Sequence, residues 1–145
     1  KIVDMGIKDA NNMGAAMAPA ALDTLITHLQ DTNRKPSYYD LILTGDLGIY
    51  GLDILKEYLE KEYKLKVDNL MDAGALLYKD TGNSIAGASG PTCLPLILFN
   101  KILKENKYKK ILIVGTGALH SKTTVNIGLS IPSVSHAVSL EVISI

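Results

Sequence analysis

The stretch "ILIVGTGALHSKT" (Ile111–Thr123) decides the fold. Its first four residues are apolar without polar alternation, as in a strand covered on both faces. Gly115-Thr116-Gly117 then end the run and lead to His120 and Ser121. A second short run of the same kind, "YDLILTGD" (Tyr39–Asp46), is ended by Gly45. Two buried strands of this type in one chain imply a sheet with helices on both sides.

The stretches between the runs carry helical spacing. In "NNMGAAMAPAALDTLITHLQD", Ala18, Leu22, Leu25, Ile26 and Leu29 fall on one face. Pro19 is tolerated in a first turn, so this helix is expected to begin around Met17 or Ala18. "GLDILKEYLEKEY" places Leu52, Leu55, Tyr58 and Leu59 on one stripe. "GASGPTCLPLILFNKILKEN" predicts a helix apolar nearly all round from Cys93 to Phe99, hence deeply buried, with a late start or kink at Pro95. "KIVDMGI" (Lys1–Ile7) and "AGALLYK" (Ala73–Lys79) read as further strands, and "HAVSLEVIS" alternates like an edge strand. The expected order is β-α-β-α-β-α-β-β. Right-handed crossovers then give a mostly parallel sheet, and the last strand, lacking a crossover helix, returns antiparallel. The chain is expected to be one domain, residues 1–145, belonging to a longer protein.

Composition narrows the function classes. Fifteen basic residues balance fifteen acidic ones, so charge alone points to neither nucleic acid nor an anionic membrane. "KENKYKK" (Lys104–Lys110) reads as a solvated helix end. Cys93 is the only cysteine, which excludes an intrachain disulfide and a cysteine metal cluster. No apolar run approaches the ~20 residues of a membrane span, and no signal-peptide pattern is present.

In an open α/β sheet, ligands gather beyond the carboxyl ends of the strands. The candidate site loops are therefore 9–12, 44–48, 80–90 and 115–121. "GTGALHS" lacks the third glycine and following helix of a dinucleotide fingerprint, since His120 stands three after Gly117. Cys93 reads either as a core residue or as a nucleophile activated by a helix N-terminus. His28 reads as a surface or dipole partner. His120, His136 and Asp46 lack metal-ligand spacing, and no metal or cofactor is expected. His136 reads as the holder of a local hydrogen bond. Asp46 reads either as the cap of the following helix or as a ligand-facing carboxylate.

"DMGIKDANNMGAAMAPAALDTL", "YDLILTGDLGIYG", "AGASG", "GTGALHS" and "SIPSVSHAVSLE" together resemble the C-terminal half of the stage V sporulation protein AD family, end to end. That resemblance implies one half of a two-half, thiolase-like α/β protein. Its three layers would enclose a five-stranded sheet in the order 3-2-1-4-5, with the last strand antiparallel. Laid on the thiolase "GHPxGASG"-like segment, "GNSIAGASG" (Gly82–Gly90) places Ser84 at the catalytic histidine, and "IVGTGALHS" offers no cysteine. A serine has no group titrating near neutrality, so proton abstraction there would fail.

The role implied is a non-catalytic one, binding dipicolinic acid, with or without calcium, during its uptake into the developing spore. The ligand's two carboxylates need donors. The candidate donors are Thr44, Ser84, Ser89, Thr116, His120 and Ser121, and Asp46 would repel the ligand unless calcium bridges the two. Implied partners are membrane proteins of the same sporulation operon. The implied location is peripheral, on the cytoplasmic side of the spore inner membrane, and the implied oligomer is a homodimer. Two alternatives stay open: an acyl-transfer enzyme using Cys93 or a nucleophile elsewhere in the protein, and a structural adaptor.

Overall fold

The computed structural model describes residues 1–81 and 86–142. A five-stranded sheet lies at its centre, with strands β1 (Ile2–Val3), β2 (Leu41–Thr44), β3 (Leu70–Asp72), β4 (Lys110–Ala118) and β5 (Ser133–Glu141). Strand alternation sends successive side chains to opposite faces. Ile42, Leu112 and Val114 therefore pack under α1 (Met13–Asp31) and α2 (Gly48–Tyr63). Leu41, Leu43 and Ile111 pack under α4 (Cys93–Ile97) and the π-helical turn Leu98–Ile102 that continues it. The expected α/β class and three layers are present.

The strand order is 3-2-4-5-1, not 3-2-1-4-5. β2 pairs in parallel with β3 on one side and directly with β4 on the other. β5 returns antiparallel beside β4, as expected of strands joined without a crossover helix. That return occupies the place next to β4, so β1 lies outermost, antiparallel to β5. β5 is thus interior where β1 reaches it, rather than an edge strand along its whole length.

Other local expectations change for identifiable reasons. Ala73–Leu77 is helical (α3), and the strand precedes it at Leu70–Asp72. "AGALL" has no β-branched residue, and the Asp72 side chain accepts from Ala75 N–H, capping a helix where a strand was expected. α1 begins at Met13, capped by Asn12, and contains Pro19 well inside it. Pro95 stands at the third residue of α4, where its missing N–H would have had no partner in the helix. α4 is not buried all round: Cys93, Ile97, Leu98 and Ile102 face the sheet, while Leu96, Phe99 and Leu103 are exposed. The β4–β5 connection includes a short helix, α5 (Lys122–Asn126). Its capping box, Ser121 with Thr124, is a signal that "SKTTVN" carried.

His28 is tied to the core rather than free on the surface. Its Nε2 lies 2.5 Å from the Tyr39 hydroxyl, which also accepts from Arg34 at 3.0 Å. With Nε2 unprotonated, the Tyr39 hydroxyl donates to His28 while accepting from Arg34. Arg34 also pairs with Glu141 at 3.1 Å, and Tyr38 donates to the same carboxylate at 3.0 Å, fastening the end of α1 to the end of β5. Burial lowers the His28 pKa, and Arg34 adds to the effect. A depressed histidine stabilises the fold above its unfolded value of about 6.5 and loses that contribution as pH falls through the folded value. Thermal melts between pH 7.5 and 5 should therefore fall more steeply for the native protein than for His28→Gln; parallel profiles would refute this role.

Candidate functional site

Two carboxylates stand at the carboxyl ends of β2 and β3, and they play different parts. Asp72 accepts four hydrogen bonds. Leu47 N–H at 2.9 Å and the Thr44 hydroxyl at 2.6 Å reach one oxygen. Gly48 N–H at 3.0 Å and Ala75 N–H at 2.9 Å reach the other. Asp72 thus serves the N-termini of both α2 and α3. The expected cap for α2, Asp46, makes no capping bond to it. Thr44 is fully buried and committed to Asp72.

Asp46 instead holds a loop. Its Oδ2 accepts from the Ser89 N–H, and from the Ser89 hydroxyl at 2.5 Å. Its backbone carbonyl accepts from Ala88 N–H at 3.3 Å. Ala88 adopts the left-handed conformation (φ +64) and Gly87 precedes it at φ +80, where a Cβ would stand 2.6 Å from the Asp46 carbonyl. A side chain at 87 would push the loop off β2. Asp46 Oδ1 is buried and has no hydrogen-bond partner among the described residues. It lies against Gly74, whose hydrogen leaves the room that any Cβ there would take.

Beyond these strand ends lies a cleft of about 550 Å³. Asn11, Met13 and Met17, from the start of α1, form one wall, and the loop Gly87–Pro91 forms a second. Asp46, Thr116 and His120 close it from the sheet side. A smaller lobe of about 250 Å³ adjoins it, sharing Asp46, Gly90, Pro91, Thr116 and Gly117, and it reaches Leu94, Val134 and His136. The Asp46 N–H donates to the Thr116 hydroxyl at 3.3 Å, linking β2 to β4 at the junction of the lobes.

Of the sequence candidates, the cleft brings together Asp46, Thr116 and His120. Thr44 lies beneath it, Ser89 is bonded to Asp46, and Ser121 is spent on capping α5. Ser84 lies outside the described residues. His136 was expected only to satisfy a local bond; its pairing with Gly115 sets it on the smaller lobe. That placement depends on the β4–β5 register, which no local pattern announces. Among the described residues no group of three or more His, Cys, Asp or Glu side chains is placed to hold a metal.

Cys93 is buried and lines neither lobe. Burial pushes its thiol pKa up, and the charges of Asp46 and Asp72 push the same way, against the nearby Ser89 hydroxyl. It is a core residue, poorly suited to act as a nucleophile. Iodoacetamide should modify it in the native protein many-fold more slowly than in urea-unfolded protein, followed by intact mass; equal rates would return it to the list of nucleophiles.

Burial also raises the Asp72 pKa above the ordinary carboxylate value, and its hydrogen bonds pull the other way. The stabilisation linked to this shift is complete below the unfolded value of about 3.9 and is lost as pH rises through the folded value. Asp72→Ala strands buried N–H groups of two helices, and we expect it to cost about 2–4 kcal/mol in urea unfolding. A cost under about 0.5 kcal/mol, within the range of a neutral surface change, would show that water replaces the carboxylate.

The family model described as stage V sporulation protein AD (SpoVAD) matches residues 1–141. The stage V sporulation protein AD of Bacillus subtilis (strain 168) is 40% identical over 144 residues, covering 97% of this chain and 43% of that protein. The chain therefore spans less than half the length of this curated relative. Among solved structures, the 3-oxoacyl-(acyl carrier protein) synthase III of Pseudomonas aeruginosa PAO1 is 13% identical with a TM-score of 0.49, covering 90% of this chain and 35% of that one. The corresponding synthase of Aquifex aeolicus VF5 is 12% identical, also with a TM-score of 0.49, covering 93% of this chain and 42% of that one. A match over nearly the whole chain, including the loops that build the cleft, decides the affiliation: the chain belongs to the stage V sporulation protein AD family.

Proposed function

We propose that this chain forms one wall of a non-catalytic binding site for dipicolinic acid and supports its uptake into the developing spore. The observation that carries this reading is the chemistry of the larger cleft. One wall is the start of α1, a helix of 19 residues whose positive end favours anions through its dipole. Its Gly14 and Ala15 N–H groups are already donated to Ala86 and Asn12. The Thr116 hydroxyl and the His120 imidazole supply further donors, and Gly87 and Gly90 of the loop wall and Gly117 on the sheet side let a flat ligand approach the backbone. Asp46 opposes an anion less than its charge suggests, because Ser89 donates to it twice and its other oxygen is covered by Gly74.

The same reading places the protein peripherally, on the cytoplasmic side of the spore inner membrane, beside membrane proteins of its operon. No helix among the described residues is long and apolar enough to cross a membrane. It also has the remainder of the longer protein, or a second copy, cover the apolar side of α4, where Phe99 is 60% exposed. The acyl-transfer alternative loses its candidate in this chain, since Cys93 is buried with a raised pKa.

The test is calorimetric titration of dipicolinate into this chain and into the full-length protein, with and without calcium. Saturable binding by the full-length protein, weaker or absent for this chain alone, is the expected result. No saturable binding under any of these conditions, or a covalent mass increase after incubation with acyl-coenzyme A, would overturn it.

A further inference from the structure

The cleft is divided, and the division has a chemical meaning. Asp46, Gly90, Pro91, Thr116 and Gly117 belong to both lobes, so they form the passage between them. Each lobe then has one imidazole of its own: His120 lines the larger and His136 the smaller. They are also the only histidine, lysine or arginine side chains among the described residues lining either lobe. An imidazole donates at least one N–H to a carboxylate in either protonation state.

The strand register sets their spacing. His136 pairs with Gly115, and His120 follows Gly115 by five residues. At ~3.3 Å per residue the two backbone positions are separated along the strand by at most about 16 Å. The side chains line adjoining lobes with the Thr116 hydroxyl at the junction. A ligand that reaches both imidazoles must carry two acceptor groups. Pro91, Leu94, Val134 and the glycine backbone give the smaller lobe an apolar lining, in which, among the described residues, His136 is the one side chain with an N–H to donate.

Building on the dicarboxylate reading above, we propose that the two lobes are separate carboxylate subsites. His120 meets one carboxylate in the larger lobe, and His136 meets the other in the smaller lobe. Thr116 and the glycine backbone hold the ring between them. His136 is then the residue that distinguishes a dicarboxylate from a monocarboxylate. The other titratable group facing both lobes is Asp46, whose carboxylate Ser89 engages. Cys93 and Asp72 lie behind it and line neither lobe.

The experiment compares pyridine-2,6-dicarboxylate with pyridine-2-carboxylate by calorimetry on the full-length protein, native and with His136→Gln or His120→Gln. The native protein should bind the dicarboxylate at least about tenfold more tightly, the size of one charge-assisted hydrogen bond. His136→Gln should bring the two ligands within about twofold by weakening the dicarboxylate alone, while His120→Gln should weaken both. Unchanged monocarboxylate affinity in His136→Gln is also the check that the variant is folded. Retained discrimination in His136→Gln would overturn the two-subsite assignment and leave dicarboxylate binding standing. Failure of the native full-length protein to bind either ligand would overturn the dicarboxylate reading itself, and the subsites with it.

Discussion

The arrangement of this end of the molecule rests on one buried carboxylate. Asp72 receives N–H groups from the first residues of two helices and a hydroxyl from the neighbouring strand. Backbone groups at a helix N-terminus must find partners, and burial makes failure costly. Here one side chain satisfies several of them at once. The ends of β2 and β3 are thereby held at a fixed spacing, with Asp46 carried on the turn that Asp72 anchors. Asp46 in turn fastens the Ala86–Gly90 loop, and that loop is a wall of the cleft. The route from fold to site runs through two acids in series, the first structural and the second positional.

This division sets what the cleft offers a ligand. One oxygen of the Asp46 carboxylate receives an N–H and a hydroxyl from Ser89, and the other is buried against Gly74. The one thiol sits behind that same carboxylate, where burial and two neighbouring acids oppose its ionisation. What faces the cleft is a hydroxyl, imidazoles, glycine backbone and the beginning of a long helix. Such groups offer hydrogen-bond donors and close backbone approach.

Much of this was legible in the sequence where local rules and tertiary packing agree. The doubly buried runs at Leu41–Thr44 and Ile111–Val114, and the stripe Leu52, Leu55, Leu59, had one reading each. "AGALL" did not, because its helix exists through a cap supplied by Asp72 immediately before it. The position of β1 was illegible for a different reason: two residues pairing across more than a hundred positions leave no local trace. The cleft was half legible. The rim loops could be located from strand ends, and Thr116 and His120 fall on one of them. Which acid caps a helix and which holds a loop depended on a few ångströms of tertiary placement. So did the orientation of His136, which only the pairing of β5 with β4 decides.

The shortness of β1 has a consequence for how this chain behaves in isolation. It pairs with Val134 and Ser133 only, so from Ser135 to Glu141 the far side of β5 has no strand neighbour among the described residues. Val138 and Leu140, on that same stretch, are exposed, as is Phe99 on the helical layer of that face. An uncapped edge beside an apolar surface is a template for adding another chain. A dimer observed for this chain would therefore report an unsheltered strand as much as any specific pairing of copies.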